Sequence, residues 1–280
     1  MIGQFVITLR EGFEAILLVA ILIAYLRKTG RIEDLRYAYY GVVAALLAGA
    51  VAALGIMILY GGLSEERKQI FEGVAAFLAA GVLTYMILWM AGRDVRSEIE
   101  SKTQKAFGWG VTLIAFIFVV REVIETILFL TPFITQSFME TILGAVSGIA
   151  VALVLSLGIF RFEYRLSLRK FFYITSIMLA FIASGLIGYG THEFIEALEE
   201  RGYESWLFEE AYSLGIDKNN PLHHKNAIGG IFSVLIGYSS SMEYLRVFLQ
   251  FGYLAAAILM IYLSYSGYRE KKADEKAVPF

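Results

Sequence analysis

The sequence predicts an all-α, polytopic membrane protein with seven transmembrane helices, and three observations lead there. Of 280 residues, 58% are hydrophobic and 18% charged, with a mean hydropathy of +0.64, which exceeds what a water-soluble globule can hide. Seven separate windows are long and apolar enough to cross a hydrocarbon core, which takes about 20 residues in a helix. Lysine and arginine fall mostly on alternate connections, as the positive-inside rule requires of a chain that crosses back and forth.

The windows lie at about 4–26, 38–60, 70–90, 107–133, 139–160, 171–190 and 244–267. No basic stretch precedes the first, so it is expected to be retained and not cleaved as a signal peptide. Sixteen Lys and Arg follow helices 1, 3, 5 and 7, against five on the opposite side. That asymmetry predicts an N-terminus outside and a cytoplasmic C-terminus, in the plasma (cell inner) membrane. The expected organisation is one seven-helix unit over 1–268, with an external acidic segment at about 192–226, and a charged tail over 269–280 without regular structure.

Several function classes fall away on composition. With 24 basic and 26 acidic residues there is no basic face for a nucleic-acid partner. The absence of cysteine removes disulfides, thiolate metal sites, Fe–S clusters and cysteine nucleophiles. No G-x-x-x-x-G-K-[ST] stretch is present for nucleotide hydrolysis, no organic cofactor is expected, and an enzyme is not the expected class.

Charge inside an apolar span is expensive and therefore points to function. Every deeply placed charge falls in two strings, Arg10-Glu11-Gly12-Phe13-Glu14 in helix 1 and Arg121-Glu122-Val123-Ile124-Glu125 in helix 4, both reading R-E-x-x-E. The two glutamates of each motif share a helix face, while the arginine and the second glutamate can pair along the helix. A 1.5 Å rise puts Glu11 and Glu14 roughly 10 to 15 Å below the outer surface, and Glu122 and Glu125 roughly 12 to 17 Å. Matched depth on oppositely directed helices fits an inverted repeat of helices 1–3 and 4–6 with helix 7 added, an arrangement found in secondary transporters.

Four carboxylates against two guanidinium groups leave a formal charge of about −2, which calls for protons or a cation. An all-oxygen set suits a hard cation such as Fe³⁺, Mn²⁺, Mg²⁺ or Ca²⁺, and the spans offer no His or Cys for zinc or copper. The competing reading makes each arginine a structural partner for its own second glutamate. It leaves the other glutamate of each motif without a partner in lipid.

At these residues the chain resembles the high-affinity iron permeases, the FTR1-type oxidase-dependent iron transporter family. Its members have seven spans and two R-E-x-x-E motifs in helices 1 and 4, the first often R-E-G-x-E, as Arg10 to Glu14 stands here. The run from Gly229-Gly230 to Gly237-Tyr238 before the last helix is similar to the family's Gly-Tyr segment. The resemblance implies an iron permease moving iron inward, with Glu11, Glu14, Glu122 and Glu125 as metal-handling carboxylates and Arg10 and Arg121 as motif arginines. Hard oxygen ligands favour Fe³⁺. The resemblance also implies an extracytoplasmic iron-oxidising or iron-delivering partner protein. Val123 stands where many relatives have glycine, which bears on how closely helix 4 can pack.

Outside the motifs, the segment 192–226 has eight acidic residues against three basic and all three histidines. Its acidity would concentrate cations, and His192, Glu193, Glu196, His223 and His224 are candidates for external metal capture. The plainer reading is a separate amphipathic helix, 191–201, followed by a polar loop. Glu72 is expected to stabilise the N-terminus of helix 3. Glu243 and Arg246 are expected to pair, Thr131-Pro132 to kink or end helix 4, and Met57, Met86, Met90 and Met178 to be core residues. Rival functions are a transporter of another hard or divalent cation, a membrane di-iron carboxylate enzyme, which usually needs Glu-x-x-His ligands, and a seven-helix receptor.

Overall fold

The computed structural model describes residues 1–90, 95–162, 168–216, 220 and 238–277. Among these residues eight α-helices form: α1 (Ile2–Lys28), α2 (Leu35–Gly61), α3 (Glu65–Met90), α4 (Val95–Gln104), α5 (Trp109–Gln136), α6 (Phe138–Phe162), α7 (Leu168–Glu199) and α8 (Tyr244–Ala277). The all-α expectation stands, with one addition. Glu210–Ser213 (β1) and Ser241–Glu243 (β2) form a small antiparallel ribbon between α7 and α8, pairing Glu210 with Glu243 and Tyr212 with Met242.

Five helices, α2, α3, α6, α7 and α8, are long and apolar enough to cross a membrane. α1 and α5 have the length, 27 and 28 residues, but each apolar run is interrupted by an R-E-x-x-E motif. The short α4, rich in charge, was not among the expected elements. Three boundaries also differ from the sequence reading. α7 continues without a break to Glu199, so 191–201 is not a separate helix. α8 runs to Ala277, so most of the tail is helical. α5 passes through Pro132 and ends a turn later at Gln136.

Burial is distributed unlike that of a soluble helix bundle. α2 buries Ala38, Gly41, Ala45 and Gly49 while Val51, Ile58 and Leu59 are each at least 70% exposed. Small residues inward and large apolar residues outward is the pattern of helices packed within lipid, where association relies on close backbone approach. α2 lies along α5 and α6 lies along α1, so each motif helix is backed by a stripe of small residues. A Cβ added at Gly41 would stand 2.7 Å from the Ala115 Cβ and 2.9 Å from the Phe116 nitrogen. At Gly144 of α6 it would stand 2.7 Å from the Met1 oxygen and 2.9 Å from the Gln4 Cβ. Both are closer than real side-chain contacts, so neither position has room for anything but glycine.

α3 and α7 cross where Gly73 and Gly190 meet, with Phe77 and Phe194 filling either side at a ring separation of 5.7 Å. The main core gathers Val6, Ile7, Phe13, Met86, Phe129 and Leu179 from α1, α3, α5 and α7. A second core, with Leu22, Leu26, Ala38, Ile99 and Phe118, sits at the basic end. There Arg31 bonds Asp34 at 2.6 Å and the Thr103 carbonyl at 3.0 Å, tying the α1–α2 turn to the α4–α5 connection. Trp109 packs against Tyr37 and Tyr40 at the same end and is itself 71% exposed, in keeping with an aromatic belt at a membrane interface.

The glycine missing from the second motif is found on the neighbouring helix. Val123 of α5 fills the space over Gly49 of α2, whereas Gly12 of α1 faces Ala152 of α6, so large and small have exchanged sides. Gly49→Ala alone should therefore overpack the contact and destabilise by about 1–3 kcal/mol. Gly49→Ala with Val123→Gly, which copies the α1–α6 contact, should recover most of it. Thermal melting of the detergent-purified variants measures both.

Candidate metal centre

The motifs meet because α1 crosses α5 directly while α6 and α2 hold the outer sides of the pair. Glu11, Glu14 and Glu122 are all buried, and each offers a carboxylate oxygen within 4.8 Å of the other two. Three like charges at that spacing repel strongly unless a guanidinium, protons or a cation offset them.

Arg10 is 0% exposed, and it reaches both glutamates of its motif. Its Nη1 donates to Glu11 Oε1 at 2.8 Å and its Nη2 lies 3.0 Å from Glu14 Oε1. This differs from the competing structural reading, in which Arg10 serves Glu14 alone and Glu11 has no partner. Arg121 follows the expected pattern, with Nε donating to Glu125 Oε1 at 2.7 Å. Glu125 stands outside the group of three, and its pair with Arg121 is the more open one, the arginine side chain being 31% exposed. One oxygen each of Glu11, Glu122 and Glu125 (Oε2 in every case) is buried and accepts no hydrogen bond among the described residues. Buried acceptors normally find partners, and oxygens left over at a converging carboxylate cluster are the donors a hard cation takes.

Two residues of α3 touch the motif arginines: Met86, which the sequence reading placed in the core, and Trp89, to which it gave no role. Met86 Sδ accepts from Arg10 Nη1 at 2.9 Å, and the Arg121 guanidinium lies 4.2 Å from the centre of the Trp89 ring. Their only trace in the sequence is a three-residue spacing on an apolar helix.

The outer end is arranged differently from expectation. Glu72 is not at a helix start. α3 begins at Glu65, and Glu72 accepts hydrogen bonds from Tyr60 of α2 and Tyr189 of α7, a strap across three helices. His192 Nδ1 is 2.7 Å from Glu243 Oε1, so Glu243 pairs with His192 where Arg246 was expected. Burial by itself would raise the Glu243 carboxyl, but the hydrogen bond to His192, a backbone hydrogen bond and the nearby His192 and Arg246 charges together hold the group below its ordinary value. Glu193 and Glu196 lie on the outward extension of α7 with His192. His223, His224 and the run from Gly229 to Gly237 lie outside the described residues.

The profile of the iron permease FTR1 family matches residues 1–263. The chain belongs to that family. A protein of Archaeoglobus fulgidus named only "Uncharacterized protein" is 62% identical over 271 residues, covering 97% of this chain and 98% of the other. A "Ferrous iron permease EfeU" of Escherichia coli (strain 536 / UPEC) is 30% identical over 274 residues, 94% of this chain and 96% of the relative. One of the same name from Yersinia pestis is 28% identical over 94% of both chains. No solved structure matches. As a member of the FTR1 family the chain is an integral membrane transporter with iron as its substrate, not an enzyme.

The unequal surroundings of the two motif arginines in this permease have a measurable consequence. Replacing one partner of a buried pair leaves the other charge stranded, at a cost of about 3–5 kcal/mol, and the cost falls where the stranded group is more open. Arg10→Gln strands two carboxylates and should lower the melting temperature of the purified protein far more than Arg121→Gln. Equal shifts would mean that the enclosure of Arg10 carries no extra stability.

Proposed function

We propose that this permease moves iron inward through a carboxylate site built from both R-E-x-x-E motifs, with Glu11, Glu14 and Glu122 as the core ligands and Glu125 joining when its pair with Arg121 opens. The observation that carries the reading is the buried group of three carboxylates, in which Glu11 and Glu122 each keep an oxygen that accepts no hydrogen bond among the described residues. An octahedral or more flexible oxygen shell around iron would use those oxygens, with Arg10 limiting the net charge. Ferric iron is the harder ion and the better match to carboxylates alone. The relatives named ferrous iron permeases favour Fe²⁺ as the second reading. Uptake of radio-iron presented as ferric citrate or as ascorbate-reduced iron separates the two.

The helix contacts support the inverted repeat. The atoms facing Gly144 are Met1 O, Gln4 Cβ and Phe5 N, and those facing Gly41 are Thr112 O, Ala115 Cβ and Phe116 N. Each pair of counterparts is separated by the same distance in sequence as Arg10 and Arg121. α1 and α6 on this reading correspond to α5 and α2, with α3 and α7 as the third members and α8 added. On this reading α1 and α5 are spans despite their charges, making seven crossings, with the basic end and C-terminus in the cytoplasm and the chain in the plasma (cell inner) membrane. A soluble iron-oxidising or iron-delivering protein would meet the acidic outer end. Inward movement of each charge gains roughly 2.3 kcal/mol per 100 mV of membrane potential.

Glu11→Gln, Glu14→Gln, Glu122→Gln and Glu125→Gln should each reach the membrane folded and fail to transport iron into proteoliposomes. Near-normal uptake by Glu11→Gln or Glu122→Gln would return the motifs to a structural role. A cation panel in the same vesicles tests the reading against a manganese or magnesium transporter.

Neutralising Glu193, Glu196, Glu199 and Glu200 together should weaken uptake at low metal and low salt, and leave the saturated rate nearly unchanged, because field focusing is screened by ions. An equal loss under all conditions would instead indicate damage to the fold.

A further inference from the structure

We infer that α3 carries a pair of positioning residues, Met86 and Trp89, which keep the two motif arginines on the glutamates of their own motifs and off the Glu122 oxygen that accepts no hydrogen bond among the described residues. This rests on the carboxylate-site reading above and adds to it the residues that set the site's charge.

Arg10 has more donors than its two glutamates occupy, and in a buried site a guanidinium turns toward any free carboxylate within reach. Glu122 lies in the same cluster with an oxygen that accepts no hydrogen bond. A guanidinium that swung onto it would neutralise the site and displace the cation. The Met86 thioether prevents this by accepting from Arg10 Nη1 at 2.9 Å, from a side chain with no exposure to solvent. Thioether sulfur is a weak acceptor without charge. It can fix the guanidinium plane while leaving the full positive charge shared between Glu11 and Glu14. A carboxylate in its place would take part of that charge away.

Trp89 performs the matching task for Arg121. The guanidinium sits 4.2 Å from the ring centre, so the ring face holds it beside Glu125 and off Glu122. Met86 and Trp89 are one turn apart on α3, so a single helix touches both motifs. The Tyr85 ring lies nearly parallel to that of Trp89, 6.5 Å away.

The test is iron uptake by proteoliposomes of full-length variants. Met86→Leu keeps volume and apolarity but removes the acceptor. Met86→Gln keeps an acceptor and is the poorer packing choice in an apolar core. A positioning role orders them Met, then Gln, then Leu, with Met86→Leu raising the half-saturating iron concentration about three- to tenfold and the maximal rate changing by less than about twofold. A packing role orders them Met, then Leu, then Gln, with losses in amount of folded protein and not in half-saturation. Trp89→Leu should raise half-saturation by a similar factor and Trp89→Phe by less, since a ring face remains. An unchanged half-saturation in Met86→Leu, or a better result for Leu than for Gln, overturns the proposal. Near-normal uptake by Glu11→Gln or Glu122→Gln in the same vesicles would refute the carboxylate-site reading instead, so the two failures are distinct.

Discussion

Everything in this structure answers to the cost of placing three carboxylates within 4.8 Å of one another inside an apolar bundle. In water at that separation the repulsion would be roughly 1 kcal/mol per pair, and in a poorly polarisable interior it grows severalfold. The arginine of the first motif touches two of the three but carries one positive charge, so a formal charge of −2 is left for protons or a cation to balance. Close convergence also requires that α1 and α5 approach each other while being pressed from outside. The small-residue faces of α2 and α6 make that possible, and glycine is the only residue that fits at Gly41 and Gly144.

Much of this was legible in the sequence because charge in an apolar span is rare and each instance stands out. Length, composition and the two R-E-x-x-E strings led to a membrane α-bundle with a carboxylate cluster between helices 1 and 4 of the windows, now α1 and α5. The windows undershot the helices because hydropathy ends where polar side chains begin, whereas backbone hydrogen bonding does not. Hence α7 runs through His192, Glu193 and Glu196 to Glu199, and α8 through the charged tail to Ala277. The partnerships of Glu72 with Tyr60 and Tyr189, and of Glu243 with His192, depend on which helices are neighbours. Spacing along one helix carries no information about that. The same holds for Met86 and Trp89, which look like any apolar pair until α3 is laid against both motifs.

Val123 shows how such limits arise. Read on its own helix it was a departure that put close packing in question. The space it needs comes from Gly49 on α2, and the first motif has the opposite arrangement, Gly12 against Ala152. What recurs in the two contacts is a glycine on one helix facing a larger residue on the other, an arrangement that belongs to neither helix alone. Close-packed interiors constrain volume in this paired way.

The two motifs share a sequence pattern and differ in enclosure, and on the inverted-repeat reading that difference has mechanical meaning. Arg10 is sealed by two glutamates and a thioether, with Phe13 of its motif packed on Phe171 at 4.6 Å. Arg121 has one glutamate and one ring face and is 31% exposed. Two halves related by a pseudo-two-fold axis would enclose their arginines equally if the transporter were symmetric, and an ion between them would be open to both sides or to neither. Alternating access requires that at any moment one half be closed and the other loosened. Opposite halves then exchange roles through small shifts of packed helices, a bistable change and not a continuous one. In that scheme the exchange would loosen Arg10 from one of its two glutamates, freeing a carboxylate oxygen, as Arg121 closes more tightly on Glu125. The ligand set would turn over between the motifs while its total charge stayed constant, which lets an ion pass a buried site without ever leaving the carboxylates uncompensated.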